Sequence, residues 1–205
     1  MSIDELRPEL KLISEWIKPN ARVLDMGCGA GTLMKYLADY LGVTGYGLEI
    51  DPDKIALCVQ AGINVIQSDI EEGLVDFFDE DSFDFVIMGQ TLQAMRQPSR
   101  LLDEMLRIGK QGIVTFPNFG HWKTRQQIGL EGRMPVTPAL PSSWHDTPNI
   151  HLCTLKDFEQ LCHSKNIQIL ERKVMNNEHI TTIGTRLFPN LFGEIALYRF
   201  QKSEN

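Results

Sequence analysis

Short apolar runs alternate along the chain with longer stretches in which apolar residues recur at helical spacing. The short runs predict seven strands, at about residues 22–26, 45–49, 65–67, 83–88, 112–116, 167–174 and 194–201. Helices are predicted between them, at about residues 3–17, 32–40, 52–61, 99–108 and 155–164. The pair Asp51-Pro52, and Thr154 followed by Asp157, are typical of helix N-termini. This alternation predicts an α/β fold with a mostly parallel sheet covered by helices.

The regular pattern stops between Pro117 and Leu152, where five prolines occur. Loops longer than ~12–15 residues without regular structure are uncommon in compact domains and usually serve a function or are disordered. This stretch also contains Trp122 and Trp144, whereas a disordered linker should be poorer in aromatic residues. We therefore expect residues 1–205 to form a single domain, in which residues 117–153 are a cap over the end of the sheet, inserted between strands 5 and 6.

Charge and the absence of targeting signals narrow the class of protein. The formal net charge of −7 disfavours a general nucleic-acid binder, because such proteins usually show a basic footprint. The first residues lack the basic start and apolar run of a signal peptide, and no apolar run approaches the ~18–20 residues that span a bilayer. We therefore expect a cytoplasmic protein without nucleic-acid or membrane partners.

The cysteines and histidines do not predict a metal site. None of the four cysteines forms a C-x-x-C pair. Residues 151–153 and 162–163 supply metal-ligand types, but their spacing matches no zinc ribbon or finger.

The sharpest chemical signal follows the first strand, where Asp25 precedes a loop with glycines at positions 27, 29 and 31. Glycines permit positive φ angles and close approach of a ligand, and the helix that follows points free N–H groups into the crevice. The spacing G-x-G-x-G differs from the G-x-G-x-x-G of dinucleotide sites. An acid so close to the loop would repel a pyrophosphate, but it suits a ligand with an ammonium group, such as the methionyl end of S-adenosylmethionine. The alternative is that these glycines only turn a tight corner.

Two further acids follow the next strands. Glu49 ends the second strand about 20 residues after the glycine loop, where an acid can accept hydrogen bonds from both ribose hydroxyls. Asp69 ends the third strand, within reach of an adenine amino group. Each acid also has a simpler, purely structural interpretation. Glu49 could be an exposed strand-end residue, and Asp69 could be a turn or helix-cap residue. Their common position at the carboxyl ends of parallel strands favours a ligand site.

At these residues the sequence resembles the class I S-adenosylmethionine-dependent methyltransferases. The resemblance implies a doubly wound, seven-stranded sheet in the order 3-2-1-4-5-7-6, with strand 7 antiparallel. It also implies a site for S-adenosylmethionine or S-adenosylhomocysteine, with the methionyl part at the glycine loop, the ribose at Glu49, and Gly89 and Gln90 near the reacting methyl group. The residues implied to bind the cofactor are Asp25, Gly27, Cys28, Gly29, Gly31, Glu49, Ile50, Asp69, Ile70, Gly89 and Gln90.

Longer runs of unusual residues resemble the MetW family of methionine-biosynthesis proteins. These runs lie at residues 2–8, 45–51, 116–122, 132–137, 146–153 and 187–191, so the resemblance spans nearly the whole chain. It implies a role in methionine synthesis as a partner that promotes a homoserine O-acyltransferase, called MetX. The alternative is an S-adenosylmethionine-dependent methyltransferase that acts on a small molecule.

A methyltransferase needs an acceptor site, and a weak nucleophile also needs a general base. His121 and His151 are the candidate bases, although a histidine in such a loop more often bonds nearby backbone. The fourth strand ends in Met88-Gly89-Gln90-Thr91, which lacks the Asn-Pro-Pro-aromatic signature of enzymes that methylate exocyclic amines of bases. An open pocket lined by Gln90, Gln93 and His121 would favour catalysis.

A regulatory partner needs an exposed interface instead. We expect this interface at Trp122, Arg133 and Trp144, because tryptophan and arginine contribute most to interface energies. The alternative is that both tryptophans pack the cap onto the sheet. A filled acceptor pocket beside an exposed aromatic patch would favour regulation.

Overall fold

The computed structural model describes residues 6–72, 77–176 and 182–203. The strands are β1 (Arg22–Met26), β2 (Thr44–Glu49), β3 (Val65–Gln67), β4 (Phe83–Gly89), β5 (Gly109–Pro117), β6 (Ile167–Met175) and β7 (Ile195–Lys202). The helices are α1 (Pro8–Ser14), α2 (Thr32–Leu41), α3 (Pro52–Gln60), α4 (Pro98–Ile108), α5 (Trp122–Gly129), α6 (Leu155–Ser164), α7 (Ile183–Leu187) and α8 (Pro189–Phe192). Short 3-10 helices lie at Ile70–Glu72 and Leu92–Ala94.

The seven strands form one sheet in the order β3-β2-β1-β4-β5-β7-β6. Strands β1 to β5 run parallel, whereas β7 is antiparallel to both β5 and β6. The β6–β7 pairing shifts register between Ile169 and Glu171. This topology confirms the predicted fold class and strand order. The strand order reverses between β1 and β4, and open α/β sheets bind ligands at such a point, outside the carboxyl ends of the strands.

Apolar side chains cover both faces of the sheet. Leu24 and Met26 of β1 pack with the helices α4 and α6, whereas Val23 packs with α1 and α2 on the other face. Neighbouring residues of a strand point to opposite faces, so a strand that is covered on both sides is apolar at nearly every position. The central strands are therefore recognisable as short continuous apolar runs.

The predicted helix N-termini are confirmed. The Asp51 carboxylate accepts a hydrogen bond from the N–H of Asp53 at 3.0 Å, with Pro52 at the first helical position. Thr154 and Asp157 form a capping box, in which each side chain accepts a hydrogen bond from the other residue's N–H. These contacts satisfy backbone donors that the helix leaves free.

The first helix is shorter than predicted. It ends at Ser14 rather than near residue 17, and the N–H of Ile17 bonds to the carbonyl of Ser14 in a tighter turn. Pro19 follows, and the residue before a proline avoids the helical conformation. The predicted start at residue 3 lies outside the described residues.

The prediction of an irregular stretch after Pro117 is wrong for part of it, because α5 occupies Trp122–Gly129. Thr124 is the buried residue of this helix, so the helix has no apolar stripe that the sequence could reveal. The two short helices α7 and α8, between β6 and β7, were also not predicted.

Within residues 6–72, 77–176 and 182–203, no helix is both long enough and apolar enough to cross a membrane. Among the same residues, no group of three or more histidine, cysteine or acidic side chains is placed to hold a metal ion.

Candidate functional site

The glycine loop leaves β1 and bends over the end of β2. The N–H groups of Gly27 and Cys28 both bond to the carbonyl of Leu48, at 2.9 and 3.0 Å. Gly27, Gly29 and Gly31 have φ angles of 80°, 58° and 73°, a region that side-chain-bearing residues seldom adopt. The glycines therefore allow a turn that starts α2 directly at the carboxyl edge of the sheet.

Glu49 fixes this loop from the neighbouring strand. Its buried carboxylate accepts hydrogen bonds from three backbone N–H groups: Gly29 at 2.9 Å, Ile50 at 2.9 Å and Asp51 at 3.1 Å. The first bond is to Oε2, and the other two are to Oε1. Each carboxylate oxygen can accept about two hydrogen bonds, so Oε2 keeps the capacity for one more donor. Glu49 is therefore buried and bonded rather than an exposed strand-end acid.

Two cavities meet at the glycine loop, and Gly27 and Gly29 line both. The larger, of about 430 Å³, is also lined by Asp25, Cys28 and Gly89. The smaller, of about 230 Å³, is also lined by Glu49, Ile50, Asp69 and Ile70. The structure thus brings together most of the residues that were predicted for a cofactor.

Two predicted cofactor residues do not line these cavities. A side chain at Gly31 would place its Cβ 3.0 Å from the Sγ of Cys58, so Gly31 packs the loop against α3. The Gln90 side chain points to α1, where its Nε2 donates to Glu9 Oε1 at 3.2 Å. Both residues adjoin the site without facing its interior.

Asp25 is the buried charge of the larger cavity. The pKa of its carboxyl group is raised from 3.8 to about 7, mainly by burial, which Arg7 opposes and nearby Glu49 reinforces. The ionised carboxylate is therefore poorly stabilised when the cavity holds no cation. A cationic ligand group in this cavity would stabilise the charged form.

The start of α1 contributes two residues that sequence reasoning missed. Arg7 lines the larger cavity, and its Nη1 lies 3.1 Å from Glu9 Oε1. Glu9 is buried, although no sequence motif marks it. Its position four residues before the buried Ile13 is the signal that was available, because residues i and i+4 share a helix face.

Cys28 and Cys58 connect the glycine loop to α3. Their Sγ atoms are 3.8 Å apart, and Cys58 Sγ donates to the Gly29 carbonyl at 3.1 Å. Burial raises the pKa of both thiols. Both cysteines are therefore protonated near neutral pH, and they pack the loop in place.

The two candidate bases lie apart from these cavities. His121 is buried, its Nε2 lies 3.7 Å from Glu194 Oε1, and it lines a separate cavity of about 290 Å³ with Trp122 and Lys123. Burial, together with the nearby charge of Lys123, lowers the pKa of His121 to about 4. His151 Nε2 is 3.3 Å from the carbonyl of Arg96 at the surface. Neither is among the described residues that line the two cavities at the glycine loop.

Gln93 is buried and bonded to the 117–153 stretch. Its side-chain Nε2 donates to the Pro117 carbonyl at 3.0 Å. Its backbone carbonyl accepts from the N–H groups of Ile150 and His151, at 2.9 and 3.0 Å. Gln93 therefore connects the end of β4 to both ends of the 117–153 stretch. Among the described residues, Gln90, Gln93 and His121 do not line one common cavity.

The residues expected at a partner interface are all at the surface. Trp122 and Trp144 are exposed, and so is Arg133. Lys123 Nζ lies 5.8 Å from the centre of the Trp122 ring. The alternative in which both tryptophans are packed against the sheet does not agree with this exposure.

Known proteins resemble this chain in both sequence and structure. The family model described as methionine biosynthesis protein MetW matches residues 7–200. The bifunctional methionine biosynthesis protein MetXA/MetW of Rhodopirellula baltica is 34% identical over 199 residues, which are 93% of this chain and 32% of that protein. This chain thus spans about a third of the length of that relative.

Solved structures share the fold at low sequence identity. An S-adenosylmethionine-dependent methyltransferase from Mesorhizobium loti superposes with a TM-score of 0.71 at 15% identity, covering 98% of this chain and 100% of that one. The [4+2]-cyclase SpnF superposes with a TM-score of 0.66 at 16% identity, covering 96% of this chain and 81% of that one. The family match and the bifunctional relative together show that this chain belongs to the MetW family of methionine biosynthesis proteins.

Proposed function

We propose that this protein binds S-adenosylmethionine, or S-adenosylhomocysteine, in the two cavities at the glycine loop, and that it promotes a homoserine O-acyltransferase in methionine biosynthesis. The observation that carries the proposal is the Glu49 clamp on the glycine loop. The loop that Glu49 fixes lines two adjoining cavities, one with a buried carboxylate and one with acids at strand ends.

The ligand's groups match the chemistry along these cavities. The ammonium of its methionyl end suits Asp25, and the guanidinium of Arg7 in the same cavity suits its carboxylate. The free capacity of Glu49 Oε2 suits a ribose hydroxyl, and Asp69 beside Ile70 suits the adenine amino group and ring. Gly27 and Gly29 line both cavities, and their lack of a side chain leaves room for the ligand to extend from one cavity into the other.

The partner follows from the bifunctional relative, in which MetXA and MetW share one protein. Proteins that act together are often fused into one chain in one organism and separate in another. This chain matches about a third of that relative, and an acyltransferase is the natural counterpart of the rest. S-adenosylmethionine is made from methionine, so a partner that binds it reports the state of the pathway.

The site supports regulation better than catalysis. Gln93 is committed to bonds with the 117–153 stretch, and the buried His121 has a pKa of about 4, so it is a weak base. The fold does not decide the matter, since one solved structure with this fold is named as a cyclase. A ligand that regulates must favour one state of the complex over another, because equal affinity would shift nothing.

Methyl transfer to a small molecule is the second candidate. The observation in its favour is that Gly89, at the end of β4, lines the larger cavity, where a reacting methyl group would be exposed. Proximity alone can drive methyl transfer to a strong nucleophile. Conversion of S-adenosylmethionine to S-adenosylhomocysteine, in the presence of candidate homoserine-pathway metabolites, would reveal it.

The proposed function is tested by the rate of homoserine acylation by the cognate acyltransferase. The rate is measured with and without this protein, across a titration of S-adenosylmethionine, with Glu49→Ala as the pocket control. We expect the protein to raise the rate and the ligand to change that effect, in the wild type only. An acylation rate that this protein leaves unchanged at every ligand concentration would refute the proposed role.

A further inference from the structure

The helices α5, α7 and α8 expose a cluster of large apolar side chains at the end of the sheet near β6 and β7. Ile183 is 80% exposed, Leu187 is 66% exposed and Phe188 is 60% exposed. Trp122 of α5 and Phe192 of α8 are exposed as well. We name these five residues the α5–α8 surface.

Two cavities lie beside these side chains. A groove of about 310 Å³ is lined by Arg125 of α5 together with Leu187, Phe188 and Pro189. A second cavity, of about 290 Å³, is lined by Trp122 of α5 together with Gly184 of α7 and Phe192 of α8. The helix α5 therefore adjoins α7 and α8 at two places. Contiguous apolar patches of this kind on soluble proteins mark interaction sites.

Hydrogen bonds attach α8 to the residues after β5 and to the start of α6. Asn118, directly after β5, donates through Nδ2 to the carbonyls of Asn190 and Gly193, at 3.1 and 2.8 Å. The Asn190 Oδ1 accepts from the N–H of Leu155 at 3.2 Å. The buried Asn118 and the start of α6 thus hold α8 in place. A preorganised apolar surface loses little conformational entropy on binding.

The groove has a basic rim in a chain of net charge −7. Arg125, Lys156 and Arg172 line it, and Glu159 is the one acid among its described lining residues. Arg172 Nη1 pairs with Glu159 Oε1 at 2.6 Å, and Arg125 Nε donates to the Gly120 carbonyl at 2.6 Å. Lys156 and the terminal nitrogens of Arg125 are therefore the groups that could face a partner. This charge suits a partner that places an apolar side chain beside acidic residues. In a two-fold contact between copies, the same basic rims would face each other, which disfavours self-association.

We propose that the α5–α8 surface is where the acyltransferase docks, with an apolar side chain of that partner in the groove and acidic residues of that partner against Arg125 and Lys156. This inference rests on the proposed function for the identity of the partner. It moves the centre of the interface from Trp144 and Arg133, expected from the sequence, to α7 and α8. Trp122 belongs to both sets.

The experiment measures the dissociation constant of the complex between this protein and the purified cognate acyltransferase. The test variant is Leu187→Ala with Phe188→Ala, and the matched control is Leu57→Ala with Val59→Ala, which removes exposed apolar side chains of α3 beside β2 and β3. We expect the test variant to bind about 100-fold more weakly, and the control to bind within about twofold of wild type. Lys156→Glu should slow association and weaken its dependence on salt.

Binding of S-adenosylmethionine to each variant checks that the variant is folded, because that site is remote from α7. If the double variant loses this binding, Ile183→Ala takes its place, with an expected loss of about tenfold in partner affinity. Equal partner affinity of folded test variant and wild type would overturn the inference while the proposed function stands. Wild-type protein that does not bind the acyltransferase would overturn both. Self-association of the wild type that the test variant abolishes would assign the surface to a second copy and overturn the inference.

Discussion

Glu49 Oε2 accepts a hydrogen bond from the N–H of Gly29 at 2.9 Å, so the end of β2 fixes the loop that follows β1. The same carboxylate holds the first two residues after β2. One buried side chain therefore sets the shape of both cavities at the loop. Glu49 acts on the geometry of the site as well as on any ligand within it.

Glu49→Ala should lower both stability and ligand affinity. It leaves three N–H groups without their charged acceptor, so we expect a loss of about 2 kcal/mol in the free energy of unfolding. Affinity for S-adenosylmethionine should fall at least about 100-fold, because loop and ribose contacts are lost together. Chemical denaturation and calorimetric titration measure the two effects.

Asp51→Ala is the matched control for Glu49. It removes a nearby carboxylate that caps α3 outside the cavities, at an expected cost of about 1 kcal/mol. Its ligand affinity should stay within about twofold of wild type. Equal ligand affinity for Glu49→Ala and wild type would contradict the placement of the ribose.

Gly29→Ala and Gly62→Ala separate backbone strain from loss of the cavity. Both glycines have positive φ angles, 58° and 74°, and at both an added Cβ meets nothing within 4 Å. Each substitution should therefore cost about 1–2 kcal/mol of stability. Gly29 lines both cavities and Gly62 follows α3, so only Gly29→Ala should abolish ligand binding. Similar affinities for the two variants would place the ligand elsewhere.

Ligand affinity should fall with pH below neutrality. The ligand's ammonium requires ionised Asp25, whose pKa in the unliganded protein is about 7. Below that pH, binding must release a proton, so affinity should fall by up to about tenfold per pH unit. Calorimetric titrations at about pH 6 and about pH 8 measure this effect. Asp25→Asn should bind weakly with no such dependence, and a flat profile for the wild type would exclude a cation beside Asp25.

Asp25 should also lower the stability of the unliganded protein above neutral pH. Its pKa is raised from 3.8 to about 7 on folding, so the folded protein binds more protons than the unfolded chain between these pH values. The contribution of Asp25 to the free energy of unfolding therefore falls as pH rises from about 4 to about 7. Unliganded Asp25→Asn should melt several degrees above wild type at about pH 8 and close to it at about pH 4.

Gln93→Leu should loosen the 117–153 stretch. It leaves the Pro117 carbonyl without its donor, at an expected cost of about 1–3 kcal/mol. Hydrogen exchange of the Ile150 and His151 amides should become faster, because both bond to the backbone of Gln93. Gln160→Leu, on the exposed side of α6, is the control. Unchanged exchange in Gln93→Leu would show that the backbone bonds alone hold the stretch.

The elements that the sequence predicted are those with local signals. The bounds of β1 and β3 agree with prediction, because β1 is a short, largely buried apolar run and β3 begins with the half-buried, β-branched Val65 and Ile66. The helix α5 lacks such a signal, since it buries little and its sequence has no apolar periodicity. Apolar residues of α7 and α8 are exposed, so their spacing does not show the periodicity of side chains that pack in the core.

The sequence locates those residues of the candidate site whose type is dictated by backbone geometry. Glycines with positive φ and acids at strand ends could be located from their spacing alone. Arg7 and Glu9 could not, because their proximity to β4 depends on how α1 packs across the sheet. His121 was placed on the correct loop, but its burial beside Glu194 depends on β7, more than 70 residues later in the chain.

The strand β6 forms one outer edge of the sheet, and an exposed strand edge is a template for pairing with another chain. Its register shift after Ile169 bends this edge, and three consecutive charged residues, Glu171, Arg172 and Lys173, follow the shift. At the opposite edge, β3 offers only three residues. Neither edge is suited to extend the sheet into a neighbouring molecule. The protein should therefore resist edge-to-edge aggregation at high concentration, and any partner must recognise side chains rather than unpaired backbone.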